Sequence, residues 1–245
     1  MQTFFSFILI PVLALGALAA PAPAPEPGRP EGDAIVERYV SAAQGQNGRL
    51  NGAKMEVAID AEVPKLKKRG SLHGLRTISQ FGKITYDMLK FEGDRSIKNE
   101  VIGRYLSAES EAKDGQRGSL DVTPANYKFK YKGTLDHWGR PAHRFEVSPR
   151  KKRVGLYKGE LIVDAETFLP LREAGKFVKS PSIFLKSVEF EREYEIRNGV
   201  AVPTKMHSSV NTRIVGKAEL TVAYQAVSLA PIPSTLDVIP AVDNQ

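Results

Sequence analysis

The chain contains no cysteine. That excludes disulfides, thiolate metal sites and cysteine nucleophiles, and also lipid attachment at a cysteine behind a cleaved leader. Beyond its first 20 residues, no stretch approaches the roughly 20 apolar residues a membrane-spanning helix needs. Catalytic signatures are missing as well: no G-x-S-x-G elbow, no H-E-x-x-H, no phosphate loop and no Gly-rich dinucleotide turn. Histidine is scarce, with 4 in the chain. His137 and His143 bracket a turn-like segment at a spacing that fits no zinc signature, and His73 and His207 stand alone in strand patterns. A non-enzymatic protein with no metal and no cofactor is expected.

What is present is an ordinary globular composition, 42% hydrophobic and 26% charged, with a net charge of +7. Such a surface suits nucleic acid, an anionic membrane leaflet or an acidic partner. The aromatic residues fall inside alternating strand patterns instead of along an exposed basic ribbon, so no nucleic-acid partner is expected, and the chain is read as a monomer.

Residues 4–20 are apolar and end in Ala17-Leu18-Ala19, the small-x-small pattern of a cleavage site. No Lys or Arg precedes them, unlike most leaders, and an uncleaved anchor is the rival reading. Residues 1–19 are read as a signal peptide to the periplasm, 20–31 as a proline-rich tether, 32–228 as one domain and 229–245 as an irregular tail.

Within the domain two amphipathic helices stand out. One starts after Asp33 and stops at Gly45. The other starts near Asp94, aligns Ile97, Val101, Ile102, Tyr105 and Leu106, and ends before Gly115. The rest alternates with period two. Met55, Val57, Ile59, Ala61 and Val63 interleave with charged residues, as do Tyr127, Phe129 and Tyr131 with three lysines. Val188, Phe190, Tyr194 and Ile196 oppose Glu189, Glu191, Glu193 and Glu195, and Arg197-Asn198-Gly199 is a hairpin turn. The order is helix, three strands, helix, then seven or eight strands. The fold class is mainly β (α+β): a curved antiparallel sheet forming an incomplete β-barrel closed by two amphipathic helices.

This order resembles the outer-membrane lipoprotein carriers and lipoprotein-sorting proteins of LolA/LolB-like fold. The segments that carry the likeness are residues 156–164 (LYKGELIVD), Leu169-Pro170-Leu171-Arg172-Glu173, and residues 198–203 (NGVAVP), with a D-x-x-T-x-L-P crossing from Asp164 to Pro170. The resemblance implies a half-barrel whose apolar interior holds acyl chains of a lipid or lipoprotein for trafficking across the cell envelope. Without cysteine, the chain departs from the membrane-anchored receptor type.

An acyl-binding wall needs only apolar side chains, each buried CH₂ contributing about 0.8 kcal/mol. Candidates from the first strands are Met55, Val57, Ile59, Ile84, Tyr86 and Met88. Later strands add Phe129, Phe145, Val188 and Phe190, and the second helix adds Tyr105 and Leu106 as a lid. A filled core is the alternative for the same set. Two basic turns, with Lys67, Lys68 and Arg69 in one and Lys151 and Lys152 in the other, could form a rim for anionic head groups or an envelope protein, at about 1 kcal/mol per charge. Phe184, in a lysine-flanked apolar run around Pro181, could join that rim. A sensor or scaffold using the rim to bind a protein partner is the alternative function.

Overall fold

The computed structural model describes residues 31–46, 48–111, 120–180, 185–213 and 216–229. The expected leader, nearly all of the tether and tail, and Phe184 lie outside the described residues.

Helix α1 spans Glu31–Gly45. It starts before Asp33, which therefore sits in the first turn, where its charge opposes the positive end of the helix. Three strands follow: β1 (Lys54–Val63), β2 (Lys68–Ile78) and β3 (Ile84–Gly93). The second helix is one continuous rod in three pieces: α2 (Arg95–Ile97), π-helical turns over Lys98–Gly103, and α3 (Arg104–Glu111). Asp94 caps it, its carboxylate accepting from the Ser96 amide at 2.8 Å. The extra residue per turn in the π segment was not foreseen from spacing. Ile97, Ile102, Tyr105 and Leu106 all meet the sheet across it.

Seven strands complete the chain: β4 (Tyr127–His137), β5 (Arg140–Pro149), β6 (Tyr157–Asp164), β7 (Pro170–Phe177), β8 (Leu185–Arg197), β9 (Val200–Thr212) and β10 (Lys217–Ser228). All ten form one antiparallel sheet in the order β3-β2-β1-β10-β9-β8-β7-β6-β5-β4. The last strand docks beside the first, and β3 and β4 are left as the two edges, so the curved sheet does not close into a barrel. This is the mainly β half-barrel anticipated from the alternation. The Asn198-Gly199 turn has φ of 52° and 69°, both left-handed, which is the geometry a two-residue hairpin requires.

The D-x-x-T crossing has a physical cause. Asp164 accepts from the Thr167 amide and hydroxyl, both at 2.8 Å, and from the Arg140 guanidinium at 2.9 Å. Burial alone would raise its pKa, but these donors outweigh burial and hold the carboxyl below its ordinary value.

Both helices lie on one face of the sheet. α1 packs Ile35, Val36 and Tyr39 on Tyr127, Phe145, Leu161 and Phe190 of strands β4 to β8. The second helix packs Ile97 and Ile102 on Ile59, Leu72, Leu220 and Val222 of β1, β2 and β10. The opposite face carries an ion ladder in which Arg172 meets Glu191 at 2.5 Å and Glu160 at 2.8 Å, and Arg144 meets Glu160. The glutamates of β8 belong to this outer side, as their alternation implies.

Candidate functional site

The inner face is the candidate site. Register decides which side chains reach it: Val57 faces Tyr224, Ile59 faces Val222 and Phe145 faces Leu161. The candidate wall residues fall into three groups. Phe129, Phe145 and Phe190 join the cluster under α1, where the Phe129 and Phe145 rings meet edge-on at 6.0 Å. Ile59, Tyr105 and Leu106 join the cluster under the second helix. Met55, Val57, Ile84 and Tyr86 form a third at the end of β1 and β3. Val188, 7% exposed, is also buried.

Met88 departs from the wall. Between the pairs His73–Lys90 and Leu75–Asp87, Gly74 alone faces Met88 and Leu89. This β-bulge, with Met88 at φ 52°, shifts the phase of the strand, so Phe91 packs inward and Met88 is 72% exposed. Strict alternation carried through the bulge puts Met88 inside; nothing in the local sequence except Gly74 marks the slip.

Beside the bulge lies a groove of about 630 Å³ lined by Leu72, Leu89, Ile102, Gly103 and Leu106 together with polar Lys98, Asn99 and Arg104. It runs along the π segment, between the helix and β3.

The inner face also carries polar groups that the sequence reading passed over. Arg76, on β2 opposite Met55 and Tyr86, donates to Glu109 of α3 at 3.3 Å, and the Tyr86 hydroxyl bonds the same carboxylate. The Tyr105 and Tyr224 hydroxyls meet at 3.2 Å. Burial pushes the Tyr86 and Tyr105 hydroxyls well above their ordinary values, so both stay neutral donors. Together these bonds tie the second helix to the sheet. On the other half, Glu173 of β7 faces Arg192 of β8. Burial raises the Glu173 carboxyl, with Arg192 opposing. The signal for Arg192 was available: it occupies the inward phase between Phe190 and Tyr194, where an arginine is out of place.

The described rim residues lie at one end of the sheet. The register places the β1–β2, β5–β6, β7–β8 and β9–β10 connections at one end of the sheet. Lys67, at φ 53°, Arg69, Lys151 and Lys152 are exposed there, while Lys68 is half-buried against Asp94 at 3.4 Å. Leu66 and Val154, each 45% exposed, sit beside these cations. The opposite end carries Phe81, 87% exposed, and Trp138, 75% exposed and stacked on His137.

Among the described residues no group of three metal-ligating side chains forms, and no helix is long and apolar enough to cross a membrane. No family model matches the chain, and no curated protein matches it. Among solved structures, the chain is similar to a DUF1329 family protein from Desulfovibrio piger, at 14% identity over 83% of this chain and 95% of that one, TM-score 0.41. It is similar to a LolA superfamily protein from Nitrosomonas europaea, at 14% identity over 82% and 94%, TM-score 0.35. It is also similar to the MucA/MucB complex of Pseudomonas aeruginosa, at 12% identity over 83% and 100%, TM-score 0.26.

Proposed function

We propose that this protein is an exported, periplasmic carrier that holds acyl chains of a lipid or lipoprotein against the inner face of its half-barrel, for passage across the cell envelope. One observation carries the reading: among the described residues a ten-stranded sheet with an apolar inner face is covered by two helices, and the groove beside the second helix exposes Leu89 between walls of Leu72, Ile102 and Leu106. Acyl chains need nothing more specific than such a surface. The groove borders the π segment, a rare element that recurs at functional sites, and in this reading the second helix shifts there to admit a chain.

The test is direct. The full chain is expressed in a bacterial periplasm, purified without detergent and extracted for lipid mass spectrometry. Stoichiometric acyl lipid is expected. A clean extract, together with no binding of a fluorescent fatty acyl probe, would remove the carrier reading.

The grouping of basic turns at one sheet end favours a second reading, an envelope sensor or scaffold that binds an acidic protein partner through that rim. It predicts a salt-sensitive complex that forms equally well with or without lipid.

A further inference from the structure

Arg192 stands where the two large apolar clusters meet. Phe190, two residues before it on β8, belongs to the cluster under α1. The cross-strand partner of Arg192 on β9, Met206, belongs to the cluster under the second helix. Tyr105 of α3, Tyr194, Tyr157 and Glu173 are all near enough to act on its charge.

The Arg192 guanidinium shares a hydrogen bond with the Tyr194 side chain. A guanidinium offers five N–H donors. The nearest carboxylate oxygen, on Glu173, lies 3.6 Å away, beyond good hydrogen-bond distance. The other inward arginine is different: Arg76 reaches Glu109 at 3.3 Å and its side chain is 9% exposed, whereas that of Arg192 is 44% exposed. The Arg192 side chain is therefore the more accessible of the two, with donors beyond its Tyr194 bond open to water or a ligand.

Two neighbours point the same way. The Tyr157 hydroxyl is buried and has no hydrogen-bond partner among the described residues, in a residue only 3% exposed. A buried hydroxyl left unpaired costs on the order of 1–3 kcal/mol, so an acceptor that reached it would be favoured. The Glu173 carboxyl is pushed up by burial, with the Arg192 attraction opposing. The cluster thus offers a guanidinium and an unpaired hydroxyl donor.

We propose that Arg192, with the Tyr157 and Tyr194 hydroxyls, forms a head-group site for an anionic oxygen group, carboxylate or phosphate, on an amphiphile whose acyl chain runs along the apolar inner face. The site rests on the carrier reading and refines it: the cargo is an anionic amphiphile, not a neutral one. The guanidinium supplies charge-assisted hydrogen bonds, and the tyrosines remain neutral donors because burial raises them. Phe190, with its ring centroid 5.0 Å from the guanidinium, holds the arginine in place.

The experiment compares delipidated full-chain protein with its Arg192→Gln and Arg192→Lys variants. The probes are oleate, oleoyl-lysophosphatidylglycerol and oleyl alcohol, which share one chain and differ in head group. Wild-type protein is expected to bind at least one anionic probe about tenfold or more tighter than the alcohol, as charge-assisted bonds predict. Arg192→Gln abolishes that preference, and a far-UV circular dichroism spectrum matching wild type shows that the variant is folded. Arg192→Lys restores part of the preference. Which anionic probe shows the effect separates a carboxylate from a phosphate ligand. Equal binding of all three probes by wild type, or a preference that survives Arg192→Gln, overturns the head-group site and leaves the carrier reading standing. Failure of every probe to bind removes both.

Discussion

Glu173 illustrates how one side chain couples burial to pH. Its partner Arg192 lies at 3.6 Å, and burial outweighs that attraction, so the folded-state pKa is above the unfolded one. A raised carboxyl means the native state binds its proton more tightly than the unfolded chain does. Its contribution to stability is therefore full below the unfolded value and is lost as pH rises through the folded value. Glu173→Gln mimics the neutral acid and is exempt from that loss. The thermal midpoint of the variant is expected to match wild type near pH 4 and to exceed it at pH 8. A variant that is less stable at pH 8 than at pH 4, relative to wild type, would show that the Arg192 pair dominates.

At the scale of elements, the sheet depends on close approaches as well as on alternation. Gly159 of β6 and Gly175 of β7 face each other across the ladder. A Cβ on Gly159 would drive into the Ala174 carbonyl oxygen and lie 2.5 Å from the Gly175 Cα, and one on Gly175 would lie 2.6 Å from the Tyr157 ring. The obstacles are backbone and a buried aromatic, which cannot swing away. Gly159→Ala is expected to cost about 3 kcal/mol, at the upper end for overpacking. Urea unfolding measures it, and a loss under 1 kcal/mol would mean the two strands can separate locally. Alternation identified these strands well, and the Asp94 cap and Asn198-Gly199 turn were legible because each is a local device. The bulge at Met88 and the π turns at Lys98–Gly103 were not, since each adds a residue whose placement depends on what packs against it.

For the whole molecule, strand direction gathers charge. The lysines and arginines of separate turns are far apart in sequence, yet an antiparallel meander returns them to one end of the sheet. Leu66 and Val154 add apolar tips among the cations. We propose that this end docks on anionic membrane, each cation near the surface contributing about 1 kcal/mol. Lys151→Glu with Lys152→Glu is expected to lower binding to phosphatidylglycerol vesicles by about tenfold or more at low salt, and to leave phosphatidylcholine vesicles and the thermal midpoint unaffected. Sedimentation with vesicles reads both. Unchanged binding would assign these residues to solvation alone.

The sequence by itself determined the half-barrel class, the two covering helices and most of the apolar inner face. Those features follow from periodicity and capping, which act over a few residues. Only the tertiary structure decided that Arg76 meets Glu109 and that Arg192 and Glu173 share the seam between the apolar clusters. The same holds for the basic turns, which line one rim. Each of these joins residues from different strands or helices, and it is strand register and sheet curvature, not local pattern, that bring such side chains together.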